Sequence, residues 1–213
     1  MSGNVGTTAD RYLYLVRHGE ATDDESRLTG VGREQARALG RRLRGVAFDA
    51  FRYGPLPRAV ETARLVAGEW GEGGAVPEVS EAAGDYVPYV PERAELPAEH
   101  AALADRLADV PADERRRGAE LAARARAAFT GPVPDGGRPR RELVVTHAFL
   151  VAHLVAEAHD APPWRWMGLN PANAGLTVIR YAADRPAAVL CFNDLSHLPE
   201  EARWTGFPPA LRV

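Results

Sequence analysis

The chain has 213 residues, of which 46% are apolar, and a formal net charge of −3 at pH 7. This length and composition are typical of one globular domain, or of one domain with an insertion. The nearly balanced charge gives no indication of nucleic acid or of an acidic membrane as a partner. All 26 basic residues are arginine, which excludes chemistry that needs a lysine, such as a Schiff base or a P-loop.

The chain contains a single cysteine, Cys191, so a disulfide within the chain and a metal site built on two cysteines are both excluded. No apolar run approaches the roughly 20 residues that a membrane-spanning helix needs. Residues 1–10 are polar and rich in glycine, unlike a signal peptide, and are expected to form a flexible N-terminus. Together these features predict a cytoplasmic protein.

Hydrophobic periodicity predicts an alternation of strands and helices along the chain. In chain order, the predicted elements are a strand at 11–16, a helix at 29–43, a strand at 47–53, a helix at 57–67, a strand at 76–79, a helix at 113–129, a strand at 142–146, a helix at 148–158, and two strands at 174–181 and 187–194. Residues 82–113 are rich in proline and show little periodicity, so we expect a lid or insertion there. This order predicts a single α/β domain at 11–213, with three α/β/α layers and a mostly parallel central sheet flanked by helices.

Candidate site residues lie where predicted strands end or helices begin. Arg17 and His18 follow the first apolar strand, and His147 closes a later strand and opens a helix. Arg58 lies in the first turn of a helix, beside free backbone N–H groups that attract anions. Ligands of open α/β sheets bind outside the carboxyl ends of the strands. An arginine fork suits a phosphate and an imidazole can attack one, so the pattern indicates phosphate chemistry.

Five short motifs extend this pattern along nearly the whole chain. They are LVRHGE at 15–20, LTGVGREQA at 28–36, GPLPRAVETA at 54–63, VVTHAFLVAHLV at 144–155 and FNDLSHL at 192–198. In this order and spacing, they resemble the histidine phosphatase superfamily, which includes cofactor-dependent phosphoglycerate mutases and many phosphatases. The resemblance runs from about residue 11 to residue 198 and implies a phosphoglycerate mutase-like fold.

The resemblance also implies roles for individual residues. His18 matches the nucleophile that is transiently phosphorylated, and Arg17 and Arg58 match the arginines that hold the phosphoryl oxygens. His147 matches the second histidine, which also contacts the phosphate. Glu81 is the candidate for the acid that protonates the leaving oxygen.

These roles are chemically consistent with one another. A neutral imidazole nitrogen is a competent nucleophile, and phosphoryl transfer depends mainly on positioning and on stabilisation of charge. An alkoxide leaving group needs a proton, so one carboxyl group must stay protonated near neutral pH. The segment around Glu81 is compressed relative to the family pattern, which leaves Asp85 and Glu78 as alternatives for this acid. Asn173 and Asn193 are candidates for hydrogen bonds at the rim of the site.

The sequence therefore predicts a metal-independent phosphatase that hydrolyses phosphomonoesters through a phosphohistidine on His18. No cofactor and no metal site are expected. The expected substrate is a small phosphorylated metabolite or a nucleotide, with a phosphoprotein as a further candidate. Nucleic acid and membrane are not expected as partners, and a homodimer is left open. Two alternatives remain, namely phosphoryl transfer of the phosphoglycerate mutase type and a non-catalytic module that binds phosphate.

Overall fold

A computed structural model describes residues 8–134 and 137–212 of the chain. Its centre is a six-stranded sheet with the strand order β3-β2-β4-β1-β5-β6. The strands are β1 (Arg11–Arg17), β2 (Ala50–Tyr53), β3 (Pro77–Val79), β4 (Arg140–Thr146), β5 (Leu176–Ala182) and β6 (Arg185–Asp194). The pairs β3–β2, β2–β4 and β4–β1 are parallel, whereas β5 runs antiparallel to both of its neighbours. The predicted mostly parallel sheet is confirmed.

Helices cover both faces of this sheet. They are α1 (Gly30–Leu43), α2 (Pro57–Gly68), α3 (Ala102–Asp105), α4 (Ala112–Phe129) and α5 (Ala148–Ala158). Side chains of a strand alternate between the two faces. Leu15 of β1 accordingly packs in a core with Phe129 and Leu150 from α4 and α5. Its neighbour Val16 packs on the other face, in the core that includes Leu39 of α1. The two cores make the predicted three-layer α/β/α arrangement.

Strand β2 begins three residues later than the sequence predicts. The Asp49 backbone N–H donates to the Arg141 carbonyl, but the Arg141 N–H donates to the Asp49 carboxylate, with both bonds at 2.8 Å. The Asp49 carboxylate thus accepts the hydrogen bond from Arg141 that a main-chain carbonyl would accept in regular pairing of parallel strands. The regular pairing of β2 with β4 starts at Ala50.

The chain between β3 and α4 has little regular structure. It contains short 3-10 turns at Glu81–Ala83, Arg93–Glu95 and Ala98–His100, followed by the single-turn helix α3. The prediction of a lid or insertion at residues 82–113 stays a prediction.

Most of the N-terminal segment predicted to be flexible, residues 1–7, lies outside the described residues. In its described part, Ala9 exchanges backbone hydrogen bonds of 3.1 and 2.8 Å with Val133. The Asp10 carboxylate accepts a hydrogen bond of 2.8 Å from Arg180 Nε. Within 8–134 and 137–212, every helix is too short or too polar to cross a membrane.

Candidate active site

The two histidines singled out from the sequence lie side by side at one edge of the sheet. Strands β1 and β4 are parallel neighbours with Arg17 opposite Thr146, so His18 and His147 leave the sheet together. The His18 N–H donates to the Thr146 carbonyl at 2.9 Å, which continues the ladder by one residue. The ring centroids of the two histidines are 5.0 Å apart. The structure thus brings the two predicted histidines together at the carboxyl ends of these strands.

Gly19 lets the chain turn directly after His18. A Cβ at this position would lie 2.4 Å from the Gly32 carbonyl oxygen in the first turn of α1, so a side chain cannot be accommodated. The Gly19 N–H donates to Thr62 Oγ1 at 3.0 Å. The His18 carbonyl accepts a hydrogen bond of 3.0 Å from the Asn173 side-chain amide, as expected of a rim asparagine. These contacts fix the backbone on both sides of the His18 ring.

The hydrogen bonds of the His18 ring define its tautomer. Nδ1 lies 2.7 Å from the Gly19 carbonyl oxygen, and because a carbonyl only accepts, Nδ1 carries the proton. Nε2 therefore presents a lone pair, towards which Arg58 Nε donates at 3.2 Å. Burial, followed by the neighbouring His147 ring, lowers the pKa of His18 to about 2. The ring is neutral at physiological pH, and Nε2 is the nitrogen whose lone pair can attack phosphorus once the Arg58 Nε–H turns from it to a phosphoryl oxygen.

Arg58 lies in the first turn of α2, directly after Pro57 at the start of that helix. Its side chain is almost fully buried. One terminal nitrogen, Nη2, lies 2.6 Å from Asp85 Oδ2 and 3.3 Å from Glu25 Oε2. Two carboxylates from two different loops therefore meet on one nitrogen of this guanidinium.

Arg17 is held in a different way. Its Nη1 donates to two main-chain carbonyls, that of Pro171 at 3.0 Å and that of Gly206 at 2.7 Å. Among the described residues, its buried Nε has no hydrogen-bond partner and no carboxylate forms an ion pair with it. Burial lowers the pKa of Arg17, and the charge of Asp85 acts in the opposite direction. Arg17 is thus oriented by neutral groups and keeps its charge uncompensated by direct contact.

His147 precedes the first turn of α5 and is 1% exposed. Its Nδ1 is 3.5 Å from Asp85 Oδ2, and within the described chain neither ring nitrogen has a hydrogen-bond partner. Burial, then the charges of Arg58 and Arg17, lower the pKa of His147 to about 3. A Cβ at Gly54 would lie 2.3 Å from the Ala83 carbonyl oxygen and 3.2 Å from His147 Nε2, so this glycine leaves room mainly for the Ala83 backbone and also for the edge of the ring.

The three carboxylates considered for the acid lie at different distances from the histidines. Asp85 contacts Arg58 and approaches His147, as described above. Glu81 is exposed and lines a cavity of about 400 Å³ on the Arg58 side, which Asp85 also lines. Glu78 lies on the edge strand β3 and pairs with Arg52 at 2.7 Å. Asp85 is therefore the one of the three that contacts the arginine and histidine cluster.

Sequence reasoning missed Glu25 as part of this cluster. The residue follows β1 in a loop, where it adopts a left-handed conformation with a φ of 56°. The two preceding residues, Asp23 and Asp24, carry the same charge, so the local sequence contains no signal that selects Glu25. The carbonyls of Pro171 and Gly206 were missed as well, because a main-chain contact carries no residue-type signal.

The family model described as the histidine phosphatase superfamily (branch 1) matches residues 13–194. The chain belongs to this superfamily. It is 26% identical over 198 residues to "Serine/threonine-protein phosphatase Pgam5, mitochondrial" of Caenorhabditis elegans, with 90% of this chain and 66% of that protein covered. The protein of the same name from Drosophila willistoni is 28% identical over 196 residues, with 89% and 64% covered. The chain thus spans slightly less than two thirds of the length of these curated relatives.

A solved structure supports the same grouping at the level of the fold. The chain is similar to a phosphoglycerate mutase from Bacillus anthracis str. Sterne, with a TM-score of 0.58, 22% identity, and 89% of this chain and 96% of that chain covered. The predicted superfamily and the phosphoglycerate mutase-like fold are confirmed. Both curated relatives are named as phosphatases, in agreement with the predicted class of enzyme.

The predicted cytoplasmic location is wrong by comparison with these relatives, because both are named as mitochondrial. That prediction depended on composition and on the polar residues 1–10, which do not determine a compartment.

Proposed function

We propose that the protein is a metal-independent phosphatase that hydrolyses phosphomonoesters through a phosphohistidine on His18. The observation that carries the proposal is the orientation of the His18 ring, whose Nδ1 proton is bound to the Gly19 carbonyl and whose Nε2 faces Arg58. In a neutral imidazole that is protonated on one nitrogen, the other nitrogen carries the lone pair that can attack phosphorus. Membership of the histidine phosphatase superfamily supports the same reading.

The proposed reaction has two steps, transfer of the phosphoryl group to His18 and hydrolysis of the phosphohistidine. In the first, the Nε2 lone pair forms a bond to phosphorus, the ester P–O bond breaks, and the alcohol oxygen takes a proton from a carboxyl group. In the second, water attacks phosphorus, the N–P bond breaks, and the carboxylate takes a proton from the water. Arg58 Nε lies 3.2 Å from Nε2, and the ring centroids of His18 and His147 are 5.0 Å apart. Together with Arg17, which directly precedes His18, Arg58 and His147 would bind the phosphoryl oxygens and stabilise their charge. This role for the arginines needs no metal ion.

Asp85 and Glu81 are the two candidates for the carboxyl group in these steps. Asp85 lies against Arg58 and His147, whereas the resemblance to the superfamily favours Glu81. Substrates with different leaving groups distinguish the two. The variant that removes the acid, Asp85→Asn or Glu81→Gln, loses far more activity towards an alkyl phosphate than towards 4-nitrophenyl phosphate, whose leaving group departs without a proton.

The substrate follows less directly from the site than the reaction does. The curated relatives are named serine/threonine-protein phosphatases, which supports a phosphoserine or phosphothreonine peptide. A small phosphorylated metabolite or a nucleotide fits the same phosphate-binding residues. A panel that contains one peptide of each kind and several small phosphomonoesters ranks these classes by kcat/KM.

Hydrolysis of an aryl phosphate, with and without EDTA, tests the chemical proposal. The expected result is turnover that survives EDTA in the wild type and disappears in His18→Ala. His159→Ala serves as the matched control, because His159 is exposed at the end of α5. Rapid acid-free quenching of the wild type should trap a protein-bound phosphate that is labile to acid and stable to alkali. Equal turnover in the wild type and His18→Ala would show that His18 is not the nucleophile.

The two alternatives make different predictions in the same assays. A phosphoglycerate mutase isomerises phosphoglycerate when a bisphosphoglycerate primer is present, and it hydrolyses simple esters slowly. A non-catalytic module turns over no phosphomonoester, and its affinity for phosphate does not change in His18→Ala. Either result would overturn the proposed hydrolase.

A further inference from the structure

The glutamine of the motif LTGVGREQA is buried close to the site, although the proposed reaction gives it no role. Gln35 lies on α1 and is 1% exposed. Its Oε1 accepts a hydrogen bond of 2.8 Å from the Glu20 N–H. Its Nε2 donates to the Ala202 carbonyl at 2.7 Å and to Thr205 Oγ1 at 2.8 Å. Because a main-chain N–H only donates and a carbonyl only accepts, these partners fix which end of the amide carries the oxygen.

The close approach of α1 to the chain after His18 makes this contact possible. A Cβ on Gly32 would lie 2.0 Å from the Glu20 carbonyl oxygen and 2.8 Å from the Glu20 nitrogen. The same carbonyl accepts a hydrogen bond of 2.9 Å from the N–H of Thr29, the N-cap of α1. Gln35 follows Gly32 by one turn and so lies on the same face of the helix. Both polar main-chain groups of Glu20 are therefore bound by α1 and its cap.

The peptide unit between Gly19 and Glu20 connects this glutamine to the proposed nucleophile. This unit contains the Glu20 N–H, which donates to Gln35, and also the Gly19 carbonyl. That carbonyl accepts the proton of His18 Nδ1 at 2.7 Å. The amide of Gln35 and the imidazole of His18 are thus joined by hydrogen bonds through a single peptide unit.

The other side chains that support this turn bind a different peptide unit. Thr62 Oγ1 accepts from the Gly19 N–H, and the Asn173 amide donates to the His18 carbonyl. Both of these main-chain groups belong to the unit between His18 and Gly19, which does not face Nδ1. Among the described residues, and apart from His18 itself, Gln35 is the side chain bonded to the unit that accepts from Nδ1.

We propose that Gln35 is a positioning residue for the nucleophile, and that it holds the His18 ring in the Nδ1–H tautomer by binding the peptide unit between Gly19 and Glu20. The inference rests on the proposed function, because it takes Nε2 of His18 to be the attacking atom. The hydrogen bond at Nδ1 decides which ring nitrogen keeps the lone pair. A bond at the N–H end of a peptide unit also polarises it, so its carbonyl becomes a stronger acceptor for the Nδ1 proton.

Arg58 favours the same tautomer in the free protein, because its Nε donates to His18 Nε2 at 3.2 Å. That bond has to be given up when phosphorus approaches Nε2. The contact between Gln35 and the peptide unit lies on the opposite side of the ring and does not have to change during the reaction. Gln35 is therefore the group that keeps the tautomer while the N–P bond forms.

Two variants of Gln35 isolate the contact. Gln35→Met removes the whole amide, whereas Gln35→Glu keeps an oxygen that accepts from the Glu20 N–H. Both variants lose the NH₂ group, so the difference between them reports the oxygen. Trp70→Phe is the matched control for stability, because it removes a hydrogen bond of 3.1 Å to the Gly40 carbonyl of the same helix, outside the site. Gln35→Asn, whose amide is too short to reach the peptide unit, replaces Gln35→Met if the latter does not fold.

Nitrogen-15 NMR of the imidazoles, with the His18 signals assigned by their absence from His18→Ala, identifies the protonated nitrogen. In the wild type we expect Nδ1 to carry the proton. In Gln35→Met this proton should exchange with water about tenfold faster, because its acceptor is no longer held in place. The value of kcat/KM for an aryl phosphate should also fall about tenfold, as expected of a misplaced nucleophile. Inhibition by inorganic phosphate should change less than about twofold, since both arginines are intact.

Gln35→Glu should stay within about threefold of the wild type in kcat/KM and in proton exchange, and Trp70→Phe should match the wild type in both. A proton on Nε2 of His18 in the wild type would overturn the inference. So would equal losses in Gln35→Glu and Gln35→Met, no loss in either, or a loss of activity that the affinity for phosphate follows. Failure of the proposed function would appear differently, as no hydrolysis by the wild type or unchanged hydrolysis by His18→Ala. The tautomer and the proton exchange would still decide whether Gln35 holds the ring.

Discussion

The two arginines of the site differ in the groups that hold them. Arg58 makes ion pairs with two carboxylates, those of Asp85 and Glu25, on a single nitrogen. Arg17 donates to two backbone carbonyls and has no carboxylate in direct contact within the described chain. The charge of the first arginine is compensated by groups that a phosphate bound there would have to displace. The second is oriented in advance, and its charge is not compensated by a direct contact.

This contrast extends to the surroundings of each arginine. On the Arg58 side, Asp85 and Glu25 are 35% and 64% exposed at the side chain, so water and salt weaken their attraction for the guanidinium. On the Arg17 side, the backbone carbonyls of Pro171 and Gly206 accept hydrogen bonds from the guanidinium and hold it in place. Exchange of partners is therefore expected at Arg58 and preorganisation at Arg17.

The largest effect should follow the removal of either arginine. Arg17→Ala and Arg58→Ala should each lower kcat/KM for an aryl phosphate by roughly 10²- to 10³-fold, as expected when a preorganised donor to a developing charge is lost. The thermal unfolding midpoint of Arg17→Ala should change little, because the hydrogen bonds to the Pro171 and Gly206 carbonyls are part-buried and exposed, so water can replace the lost donor. Steady-state kinetics and calorimetric unfolding measure the two effects separately.

Arg93→Ala is the control for these two variants. Arg93 makes an exposed ion pair with Asp105, with both side chains about two thirds exposed, at 65% and 68%. Such a pair contributes little to stability. Activity of Arg17→Ala close to that of Arg93→Ala would contradict the role assigned to the preorganised arginine.

The next effect concerns acid stability and His147. Burial, together with the charges of Arg58 and Arg17, lowers the pKa of His147 in the folded protein to about 3, from an ordinary value of about 6.5. Between these values the unfolded chain binds a proton that the folded chain does not bind, so stability is complete above the unfolded pKa and is lost as the pH falls below it. By about pH 5 this one group should cost up to about 2 kcal/mol.

His147→Gln should therefore reduce the loss of unfolding free energy between about pH 7 and about pH 5. Denaturant unfolding at the two pH values measures it, and His159→Gln, at an exposed position, is the control. The same pH dependence in His147→Gln as in the wild type would show that the imidazole is protonated in the folded protein. Removal of Arg58 should lessen the effect, since its charge contributes to the lowered pKa of His147.

A smaller effect should come from the backbone that supports Arg17. Gly206 has a φ of 65°, and a Cβ there would lie 2.2 Å from Asn173 Oδ1 and 2.7 Å from Arg17 Nη1. Gly206→Ala should displace the guanidinium and lower kcat/KM about tenfold, by analogy with other losses of positioning. Gly131 has a similar φ of 74° with open space around it, so Gly131→Ala carries the backbone strain alone. Equal kinetics in the two variants would mean that Gly206 acts through strain and not through Arg17.

The sequence predicts the part of the site that is built by regular elements. His18, Arg58 and His147 follow strands or begin helices, so the period of the apolar residues places them at one edge of the sheet. The carboxylates could not be located in this way. Asp85 and Glu25 lie in irregular loops, whose path depends on tertiary contacts and not on a repeating pattern. The sequence favoured Glu81 for the acid through the resemblance to the superfamily, with Asp85 and Glu78 as alternatives, but the contact of Asp85 with Arg58 depends on the path of the loop.

The smallest effect should be found where phosphate competes with Asp85 for Arg58. Asp85→Asn keeps a side chain of the same size but removes a negative charge that lies 2.6 Å from Arg58 Nη2. Inorganic phosphate should therefore bind to this variant about three- to tenfold more tightly than to the wild type, because the amide competes poorly and no longer repels the anion. Competitive inhibition or calorimetry measures this affinity, whatever the effect of the variant on kcat. Glu25→Gln, at the more exposed partner of the same nitrogen, should change the affinity less. Unchanged phosphate affinity in Asp85→Asn would show that phosphate does not displace this carboxylate, and that the two arginines differ in their surroundings but not in their availability.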